Sequence, residues 1–434
     1  MARMKVLING GGIAGGALAF WLSKIGHEVT VLEWFPTLRT TGLQLDLRGH
    51  GIEVMKRMGL EKDFRTRMAP EQGLQIVNHA GKRRALFPAN KSGKGLQSFT
   101  TDYEIMRGDL CRLLYDHSKD RTKYVFGTSV ESFEQNDDGV EVKLTDGKKD
   151  RFDLLVGADG QNSRTRRMML GSDSEGLYPL RGIYVAYFTM DKPIKEGEGY
   201  LATAYAATGR RAIMTRRHSP DKIQVYLTCK SDSERLKNAP RGDVKEEKEA
   251  MAEIFKDAGW EAEELVQDMK ESEDFYLEHM GLVKLDSWSR GRVALVGDAA
   301  YCPTANTGMG TTSAIVGAYV LAGEIGRHCK NSAGELDNNK DGIMAALKAY
   351  DETFRPFMEQ VQKDIGDGKG IAGDMMPTTP FGIGVMNFVA GVAAFFRLNI
   401  IAQAFLKEGV KWDLPEYEEI LRKNWGCRGG LFLS

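Results

Sequence analysis

The sequence has 434 residues, of which 42% are hydrophobic, and its formal net charge is −1. This length favours two or three packed units with sizeable cores, and the near balance of charges lacks the basic footprint of a nucleic-acid-binding protein. The seven histidines are scattered without metal-ligand spacing, and the five cysteines include no C-x-x-C pair. We therefore expect no metal site, no nucleic-acid partner and reduced thiols, as in a cytoplasmic protein.

The first predicted elements form one βαβ unit. An apolar strand (6–8) runs directly into a glycine-rich turn (10–16), and a helix (17–25) and a β-branched strand (29–32) follow. Because the turn follows the apolar run at once, that run is interpreted as a strand and not as a signal peptide.

The turn carries the G-x-G-x-x-G pattern of dinucleotide-binding folds, at Gly10, Gly12 and Gly15. The first glycine permits the tight turn, the second lets a pyrophosphate approach the backbone, and the third lets the helix pack on the strand. Glu33, at the end of the second strand, is placed to accept hydrogen bonds from ribose hydroxyls and to repel a 2′-phosphate. The tightly held dinucleotide is therefore predicted to be FAD or NAD, and not NADP.

Further along the chain, the segment 39–47 is predicted as a loop. Alternating segments between 182 and 230 predict an antiparallel sheet, and hence a second domain, with a charged helical stretch at 231–270 after it. The other predicted elements are helices at 52–58, 107–115 and 312–328 and strands at 130–133, 140–144, 152–157 and 293–296.

The segment 375–396 contains no charged residue but is interrupted by prolines and glycines. A transmembrane helix needs about 20 apolar residues, so we predict a Gly/Pro-rich loop followed by a buried helix and expect no membrane contact. A contact with one membrane surface stays the alternative. The apolar region 368–406 is expected to cover the mouth of a pocket or to form a contact between subunits, in a monomer or a homodimer.

Two further motifs place acidic residues at the ends of buried strands. The segment 153–166 ends its strand in Gly-Ala-Asp-Gly, with a serine and an arginine spaced after it, and the segment 291–300 ends in Gly-Asp-Ala-Ala. An acidic residue such as Asp298 could bind ribityl hydroxyls, and the Gly-x-Gly at 308–310 would open a helix toward a flavin ring and its phosphates. Taken singly, each motif is also compatible with an ordinary turn or strand end.

In this order and at these separations, the three motifs resemble those of the class A flavoprotein monooxygenases, which have the para-hydroxybenzoate hydroxylase fold. The resemblance covers about residues 5–324. It implies an α/β fold with a Rossmann-like FAD-binding domain, a substrate domain with an antiparallel sheet, and a helical C-terminal region. The implied boundaries of these parts are 1–177 plus 285–330, 178–284 and 331–434, respectively.

The segments 42–47 and 106–110 resemble, more narrowly, the Tet(X) tetracycline destructase branch. The chain departs from the family pattern at Trp34, where an arginine is frequent, and at Thr312 and Gly317, where an asparagine and an acidic residue are common. Arg39 should lie where NADPH docks. The residues assigned to FAD by the patterns and the resemblance are Gly10, Gly12, Ile13, Ala14, Gly15, Glu33, Trp34, Asp46, Arg107, Asp159, Asp298, Pro303, Gly308, Met309, Gly310 and Thr311.

The resemblance implies an enzyme that binds FAD non-covalently and uses NADPH, in preference to NADH, as a transient reductant and O2 as co-substrate. A flavin C4a-hydroperoxide would transfer one oxygen atom to an aromatic or polycyclic molecule, such as a tetracycline or a phenolic polyketide, in secondary metabolism or antibiotic resistance. Two alternatives stay open: a Baeyer–Villiger or epoxidising monooxygenase, and a non-catalytic flavin-binding or drug-sequestering protein. Flavin halogenases are excluded because the chain has no W-x-W-x-I-P segment.

Four side chains of the predicted substrate sheet are candidates for binding or deprotonating a substrate: Tyr184, Tyr187, Arg211 and His218. Residues of these types are more often ordinary core or surface residues.

Overall fold

The computed structural model describes residues 3–89, 103–171, 176–238, 242–304, 307–330, 340–363, 365, 377–396 and 410–421. In this part of the chain the strands are β1 (Lys5–Asn9), β2 (Glu28–Glu33), β3 (Gln44–Asp46), β4 (Gly73–Val77), β5 (Arg83–Pro88), β6 (Glu104–Met106), β7 (Thr122–Phe126), β8 (Val130–Asn136), β9 (Gly139–Leu144), β10 (Lys149–Phe152), β11 (Leu154–Gly157), β12 (Leu177–Asp191), β13 (Leu201–Ala207), β14 (Arg211–Arg217), β15 (Lys222–Lys230), β16 (Tyr276–Val283), β17 (Ser289–Arg290) and β18 (Val293–Leu295).

The helices of the same part are α1 (Ile13–Lys24), α2 (Gly49–Met58), α3 (Glu61–Arg65), α4 (Arg107–Asp116), α5 (Arg164–Leu170), α6 (Glu234–Asn238), α7 (Val244–Phe255), α8 (Ala262–Glu271), α9 (Asp298–Tyr301), α10 (Gly310–His328), α11 (Lys340–Gln362), α12 (Pro380–Phe395) and α13 (Glu418–Leu421).

The first sheet has six strands in the order β17-β18-β11-β1-β2-β7. Strand β1 pairs in parallel with β2 and with β11, so the carboxyl ends of all three strands meet at one edge of the sheet. This confirms the predicted βαβ unit. Helix α1 begins at Ile13, inside the predicted turn, because glycines at positions 15 and 16 let its first turn lie close to β1 and α4.

The second large sheet has seven strands in the order β16-β12-β15-β14-β13-β4-β5. One face packs against α7 and α8, through a core that includes Phe188, Leu227 and Phe255. Because side chains alternate along a strand, the other face is lined by a different set of residues, and that face adjoins the first sheet's loops. The predicted antiparallel sheet between residues 182 and 230 is confirmed.

The seven-stranded sheet also departs from the expectation in two respects. Strand β13 pairs in parallel with β4, so the sheet is mixed. Strands β4 and β5 belong to this sheet although they precede residue 178, where the substrate domain was expected to begin. The pairing of strands more than a hundred residues apart leaves no local signal, and the division of the chain into three parts as a whole stays a prediction.

Smaller sheets complete the fold. Strands β8 and β9 form the predicted hairpin, to which β10 adds. The segment 39–47, predicted as a loop, contains β3, because this strand pairs with β6 from sixty residues further along the chain. Near the C-terminus, Trp412 packs against Phe357, and the Tyr417 hydroxyl donates a 2.7 Å hydrogen bond to buried Glu324.

Helix α12 lies on β5, β4 and β13 at the edge of the seven-stranded sheet. The prediction of a buried helix in the segment 375–396 is wrong for the described residues 377–396. Asn387 is buried in α12, Ile383 and Met386 are half-buried, and the other large apolar side chains of the helix are exposed. Among the described elements, the helix packs on the last strands of this sheet edge with one of its sides. Within the described ranges, no helix combines the length and the apolar character needed to cross a bilayer.

Candidate active site

The glycine-rich turn between β1 and α1 is shaped by contacts that leave no room for side chains. Gly10 has a φ of +120°, and a Cβ there would lie 2.4 Å from the carbonyl oxygen of Ala158. A Cβ on Gly15 would lie 1.9 Å from the carbonyl oxygen of Gly10. At Gly12 the space is open, with Nη2 of Arg107 the nearest atom at 3.7 Å, and no described side chain caps α1. This uncapped helix end, with its N–H groups and positive dipole, fits a pyrophosphate.

Glu33 ends β2 beside this turn. Its Oε2 accepts a 2.9 Å hydrogen bond from the backbone N–H of Gly11, and its Oε1 accepts a 3.0 Å bond from that of Phe35. A carboxylate has about four acceptor positions, so Glu33 can hold the turn and also accept bonds from ribose hydroxyls. The indole of Trp34 is 60% exposed and lies at the surface next to this carboxylate.

Arg107 begins α4 and joins the loop after β2 to the glycine turn. Its Nη1 donates to the carbonyl oxygens of Arg39 at 3.3 Å and Thr41 at 3.1 Å. Its side-chain stem packs against Gly42, where a Cβ would lie 2.7 Å from Cδ of the arginine. Since Nη2 points to the open side of Gly12, a guanidinium lies next to the helix end that fits phosphates.

Asp298 begins α9, and its carboxylate faces the start of α10. Its Oδ1 lies 3.9 Å from the position that a Cβ would take on Gly310. Burial raises the pKa of this carboxyl, against the opposing effects of the Cys302 thiol and the Arg107 guanidinium. The structure therefore brings the carboxylate, the guanidinium and the starts of α1 and α10 together, although they are far apart in the sequence.

The third motif packs directly on α1. Gly297 has a φ of +67°, and a Cβ there would lie 2.7 Å from Cβ of Ala14. Met309 is the N-cap residue of α10; its own side chain makes no capping hydrogen bond, and its backbone N–H donates a 3.1 Å bond to the Thr307 hydroxyl. Of the other predicted residues, Ile13 is the first residue of α1, Thr311 is the second of α10, and Pro303 is buried in the connection between α9 and α10.

Asp46 has a partner that the sequence reasoning missed. It forms an ion pair with Arg48, at 2.5 Å between Oδ2 and Nη2. The guanidinium covers Gly308, where a Cβ would lie 3.1 Å from Cζ. The Thr312 hydroxyl accepts a 2.9 Å bond from the backbone N–H of Arg48, so this threonine ties α10 to the start of α2. The position of Arg48, two residues after Asp46, is the sequence feature that could have predicted this ion pair.

The second motif forms a self-contained turn before α5. The Asp159 carboxylate accepts hydrogen bonds from the Ser163 hydroxyl at 2.5 Å and from the backbone and hydroxyl of Thr165 at 3.0 Å each. Arg166 is buried, donates a 3.0 Å bond to the carbonyl oxygen of Ala299, and has a pKa lowered by burial. These bonds tie the second motif to the third, and the predicted contact of Asp159 with a cofactor stays a prediction.

Arg39 lies between two partly exposed aromatic rings. Its Cζ is 4.9 Å from the ring centroid of Phe35 and 5.5 Å from that of Tyr276. Burial lowers the pKa of this guanidinium, and the neighbouring Arg107 lowers it further. Its Nε is buried without a hydrogen-bond partner among the described residues. A cation fixed in this way, with an unused donor, is suited to binding an anionic ligand.

The face of the seven-stranded sheet that adjoins residues 42–44 carries a separate apolar cluster, the inner patch. Its buried members are Leu180, Ile183, Val185, Tyr187, Tyr226 and Met280, with Leu43, Met214 and Ile365 packed against them. Gln224 binds the loop to this face: its Oε1 accepts from the backbone N–H of Gln44 and its Nε2 donates to the carbonyl oxygen of Gly42, both at 2.9 Å. Apolar walls with a few placed polar groups are typical of small-molecule sites.

Of the four candidate substrate residues, Tyr187 lies in the inner patch. Its ring meets that of Tyr226 edge-on with centroids 5.3 Å apart, and its hydroxyl donates a 3.4 Å hydrogen bond to Oε2 of Glu278. Burial raises the pKa of this phenol well above its ordinary value, and the Glu278 charge raises it further. Tyr187 and its carboxylate partner are therefore the titratable pair of this face.

The other three candidates lie elsewhere. Tyr184 points to the opposite face of the sheet and joins the core against α7 and α8. Arg211 bonds to Asp257 at 2.5 Å on that same side. His218 follows β14; burial lowers its pKa, and its Nδ1 has no hydrogen-bond partner among the residues that the structure describes.

A buried ion-pair network joins β3 and β6 to the seven-stranded sheet. Arg216 donates to Glu71 through Nε at 2.8 Å and Nη2 at 2.9 Å, and Nη2 also bonds to Glu104. Gln44 donates to both carboxylates. Burial lowers the pKa of the guanidinium, but Tyr226 and the two carboxylates outweigh this effect, so the pKa lies above its usual value. No sequence pattern connects these residues, which come from four separate segments.

The family of proteins described as having an FAD binding domain matches residues 3–363. The FAD-dependent monooxygenase asL4 of Sarocladium schorii is 49% identical over 431 residues, which cover 98% of this chain and 100% of asL4. The flavin-dependent monooxygenase eupH of a Phoma species is 40% identical over 412 residues, which cover 92% of this chain and 94% of eupH. The crystal structure of the tetracycline destructase Tet(51) is similar with a TM-score of 0.74 at 28% identity, covering 96% of this chain and 100% of Tet(51).

The chain therefore belongs to the FAD-binding-domain family, among the class A monooxygenases related to para-hydroxybenzoate hydroxylase. Within that family its activity is that of an FAD-dependent monooxygenase. The family resemblance inferred from the three motifs is confirmed, and so is the likeness to the tetracycline destructases.

Proposed function

We propose that this enzyme uses electrons from NADPH and one atom of O2 to oxygenate an aromatic or polycyclic small molecule bound at the inner patch. One observation carries the proposal: the apolar and aromatic inner patch contacts the segment that packs on Arg107. Leu43 packs against the patch and Gln224 bonds to Gly42. Gly42 lies against the stem of Arg107, whose guanidinium acts on Asp298. The similarity to a tetracycline destructase supports a polycyclic substrate.

The residues present fit FAD. The open side of Gly12 and the Arg107 guanidinium would hold the pyrophosphate, Glu33 the adenosine ribose, and Asp298 with the start of α10 the ribityl chain and ring. Bound FAD would supply the acceptance of a hydride and the activation of O2. The buried setting of Asp298 strengthens its hydrogen bonds with ligand hydroxyls, since the local dielectric is low.

Arg39 is proposed to receive the reductant. Its guanidinium, held between Phe35 and Tyr276, would pair with the 2′-phosphate of NADPH. Glu33 disfavours the same phosphate at the glycine turn. The Glu33 carboxylate would thus favour FAD, which has no 2′-phosphate, at the glycine turn, and the Arg39 guanidinium would favour NADPH, which carries one, at its own site.

Tyr187 and Glu278 are proposed to handle the substrate proton. A phenolic substrate at the inner patch would pass its proton toward the Glu278 carboxylate through the Tyr187 hydroxyl, which already donates to it. The phenolate that results is the better nucleophile toward an electrophilic oxygen. Removing the hydroxyl while keeping the ring should therefore slow turnover of phenols without emptying the pocket.

The test is an aerobic incubation of the FAD-loaded protein with NADPH and a panel of tetracyclines and phenolic polyketides. We expect at least one member to stimulate NADPH oxidation and to gain one oxygen atom by mass spectrometry. Tyr187→Phe should lower kcat for a phenolic substrate about tenfold or more, whereas Tyr184→Phe, on the opposite face, should match the wild type.

The outcomes separate the alternatives. NADPH oxidation that no ligand stimulates would contradict the placement of the substrate, and equal rates for both tyrosine variants would contradict the role of Tyr187. A product with the new oxygen in a lactone ring or an epoxide would assign Baeyer–Villiger or epoxidising chemistry to the same site. Ligand binding with no NADPH consumption would indicate a drug-sequestering protein.

A further inference from the structure

Helix α12 exposes a continuous apolar stripe to solvent. Phe381, Phe388 and Phe395 recur every seven residues, and 82%, 67% and 81% of their surfaces are exposed. Residues spaced by seven lie on one face of an α-helix. The same face includes other exposed apolar residues: Val385, Val389, Val392 and Phe396. A stripe of this size is far more apolar than an ordinary protein surface and indicates a partner.

Among the described residues of α12 and the strands beneath it, the charged side chains are all positive. Residues 377–396 carry no charge, and the three strands under α12 carry two charged residues, Arg83 and Arg84, both exposed on β5. Together with Phe388 and Phe395, these arginines line the groove between α12 and β5. Neither arginine forms an ion pair with a described residue. This surface thus combines exposed aromatic side chains with two arginines that pair with no described acidic residue.

We propose that the α12 stripe is an attachment surface for an anionic lipid bilayer, with the helix lying in the plane of the interface. The phenyl rings would enter the boundary between headgroups and acyl chains, and Arg83 and Arg84 would bind lipid phosphates and carboxylates. A helix of 16 residues is about 24 Å long, which suits a surface position. The inference does not depend on the oxygenation proposed above.

Other occupants fit the charges less well. A twofold contact between two copies places the same patch against itself, and the patch offers no acidic side chain for the arginine pair of the other copy. The chain that follows α12, residues 397–409, contains Arg397, Lys407 and Glu408 as its charged residues. Its net charge is therefore also positive, which makes it a poor match for Arg83 and Arg84. An anionic membrane surface satisfies both the rings and the guanidinium groups.

The test is co-sedimentation of the full-length protein with vesicles of phosphatidylcholine alone and of phosphatidylcholine mixed with phosphatidylserine. We expect binding to the mixed vesicles that weakens as salt increases. Each arginine near an anionic surface contributes about fivefold to partitioning, so Arg83→Glu/Arg84→Glu should bind at least about thirtyfold more weakly. Phe388→Asp/Phe395→Asp should lose binding to both kinds of vesicle.

Matched controls change exposed residues away from α12. Val244→Asp alters an exposed apolar residue at the start of α7, and Lys148→Glu/Lys149→Glu reverses the charge of two exposed lysines where the β9–β10 turn meets β10. Both should sediment with vesicles like the wild type. All substituted positions are exposed, and flavin content with circular dichroism verifies that each variant is folded.

Three results would overturn the proposal. The first is a wild-type protein that does not sediment with vesicles of either composition. The second is a dimer in analytical ultracentrifugation without lipid that Phe388→Asp/Phe395→Asp converts to a monomer, which would assign the stripe to a second copy. The third is hydrogen exchange of α12 that is already slow without vesicles and does not change when they are added. That result would indicate that residues 397–409 cover the stripe.

Discussion

Replacing Arg216 by methionine should destabilise the protein more than any exposed arginine replacement does. The Arg216, Glu71 and Glu104 side chains are 6%, 2% and 1% exposed. The guanidinium makes two bonds to one carboxylate and one to the other. Methionine keeps much of the side-chain volume but none of the donors, so two desolvated carboxylates are left next to each other.

The magnitude follows from this geometry. Removing one partner of a buried ion pair costs about 3–5 kcal/mol, because the remaining charge is buried without compensation. In the variant, two buried carboxylates without a cation repel each other, so protonation of one of them is favoured in the folded state. A folded state that binds more protons than the unfolded chain becomes more stable as pH falls and less stable as pH rises. The deficit should therefore be largest at mildly alkaline pH and shrink toward acidic pH.

The assay is urea unfolding followed by tryptophan fluorescence and by release of the flavin, for wild type, Arg216→Met and a control. Arg235→Met is the control, because Arg235 pairs with Glu246 in an exposed position, and exposed pairs contribute little. We expect a clear fall of the urea midpoint for Arg216→Met and almost none for the control. An Arg216→Met midpoint equal to that of the wild type, or a difference between the two midpoints that does not change with pH, would contradict this prediction.

Other predictions follow from single positions. Burial lowers the pKa of His27 from 6.5 to about 4, so its contribution of at most about 3 kcal/mol is present above the unfolded pKa and lost as pH falls toward the folded pKa. His27→Leu should show a smaller loss of stability in that acidic window than the wild type, and equal losses would contradict this. Gly15→Ala should abolish retention of FAD, because its Cβ would lie 1.9 Å from the carbonyl oxygen of Gly10. Gly384→Ala, with nothing within 4 Å of its Cβ, should keep the flavin absorbance of the wild type after gel filtration. Arg39→Ala should raise the KM for NADPH about tenfold by loss of a charge-assisted contact and leave FAD content unchanged; an unaltered KM in steady-state assays would count against the docking role.

The dinucleotide-binding unit could be predicted because its signals are contiguous in the sequence. The alternation of an apolar strand, a glycine pattern and a helix is local, and each glycine is required by a close approach such as that of Gly15 to Gly10. The acidic residue at the next strand end, Glu33, sits at a fixed chain distance from the turn and bonds to it. Local chemistry of this kind is visible without knowledge of the tertiary fold.

The rest depends on contacts between distant segments. Arg48 reaches Gly308, and Arg216 reaches Glu71 and Glu104, across separations that no spacing rule connects. For the same reason, strands β4 and β5 gave no sign that they extend the substrate sheet. The apolar composition of α12 was visible, but composition cannot tell an interior helix from one that covers a sheet edge, so its exposure required the structure.

Isotopic labelling tests whether this chain is an FAD-dependent monooxygenase that acts on a small organic molecule. The FAD-loaded protein is supplied with NADPH, a substrate that stimulates NADPH oxidation, and either heavy-isotope O2 or heavy-isotope water. We expect one heavy oxygen atom to enter the product from O2 and none from water. Label that comes from water, or a product unchanged while all the O2 consumed appears as hydrogen peroxide, would contradict it.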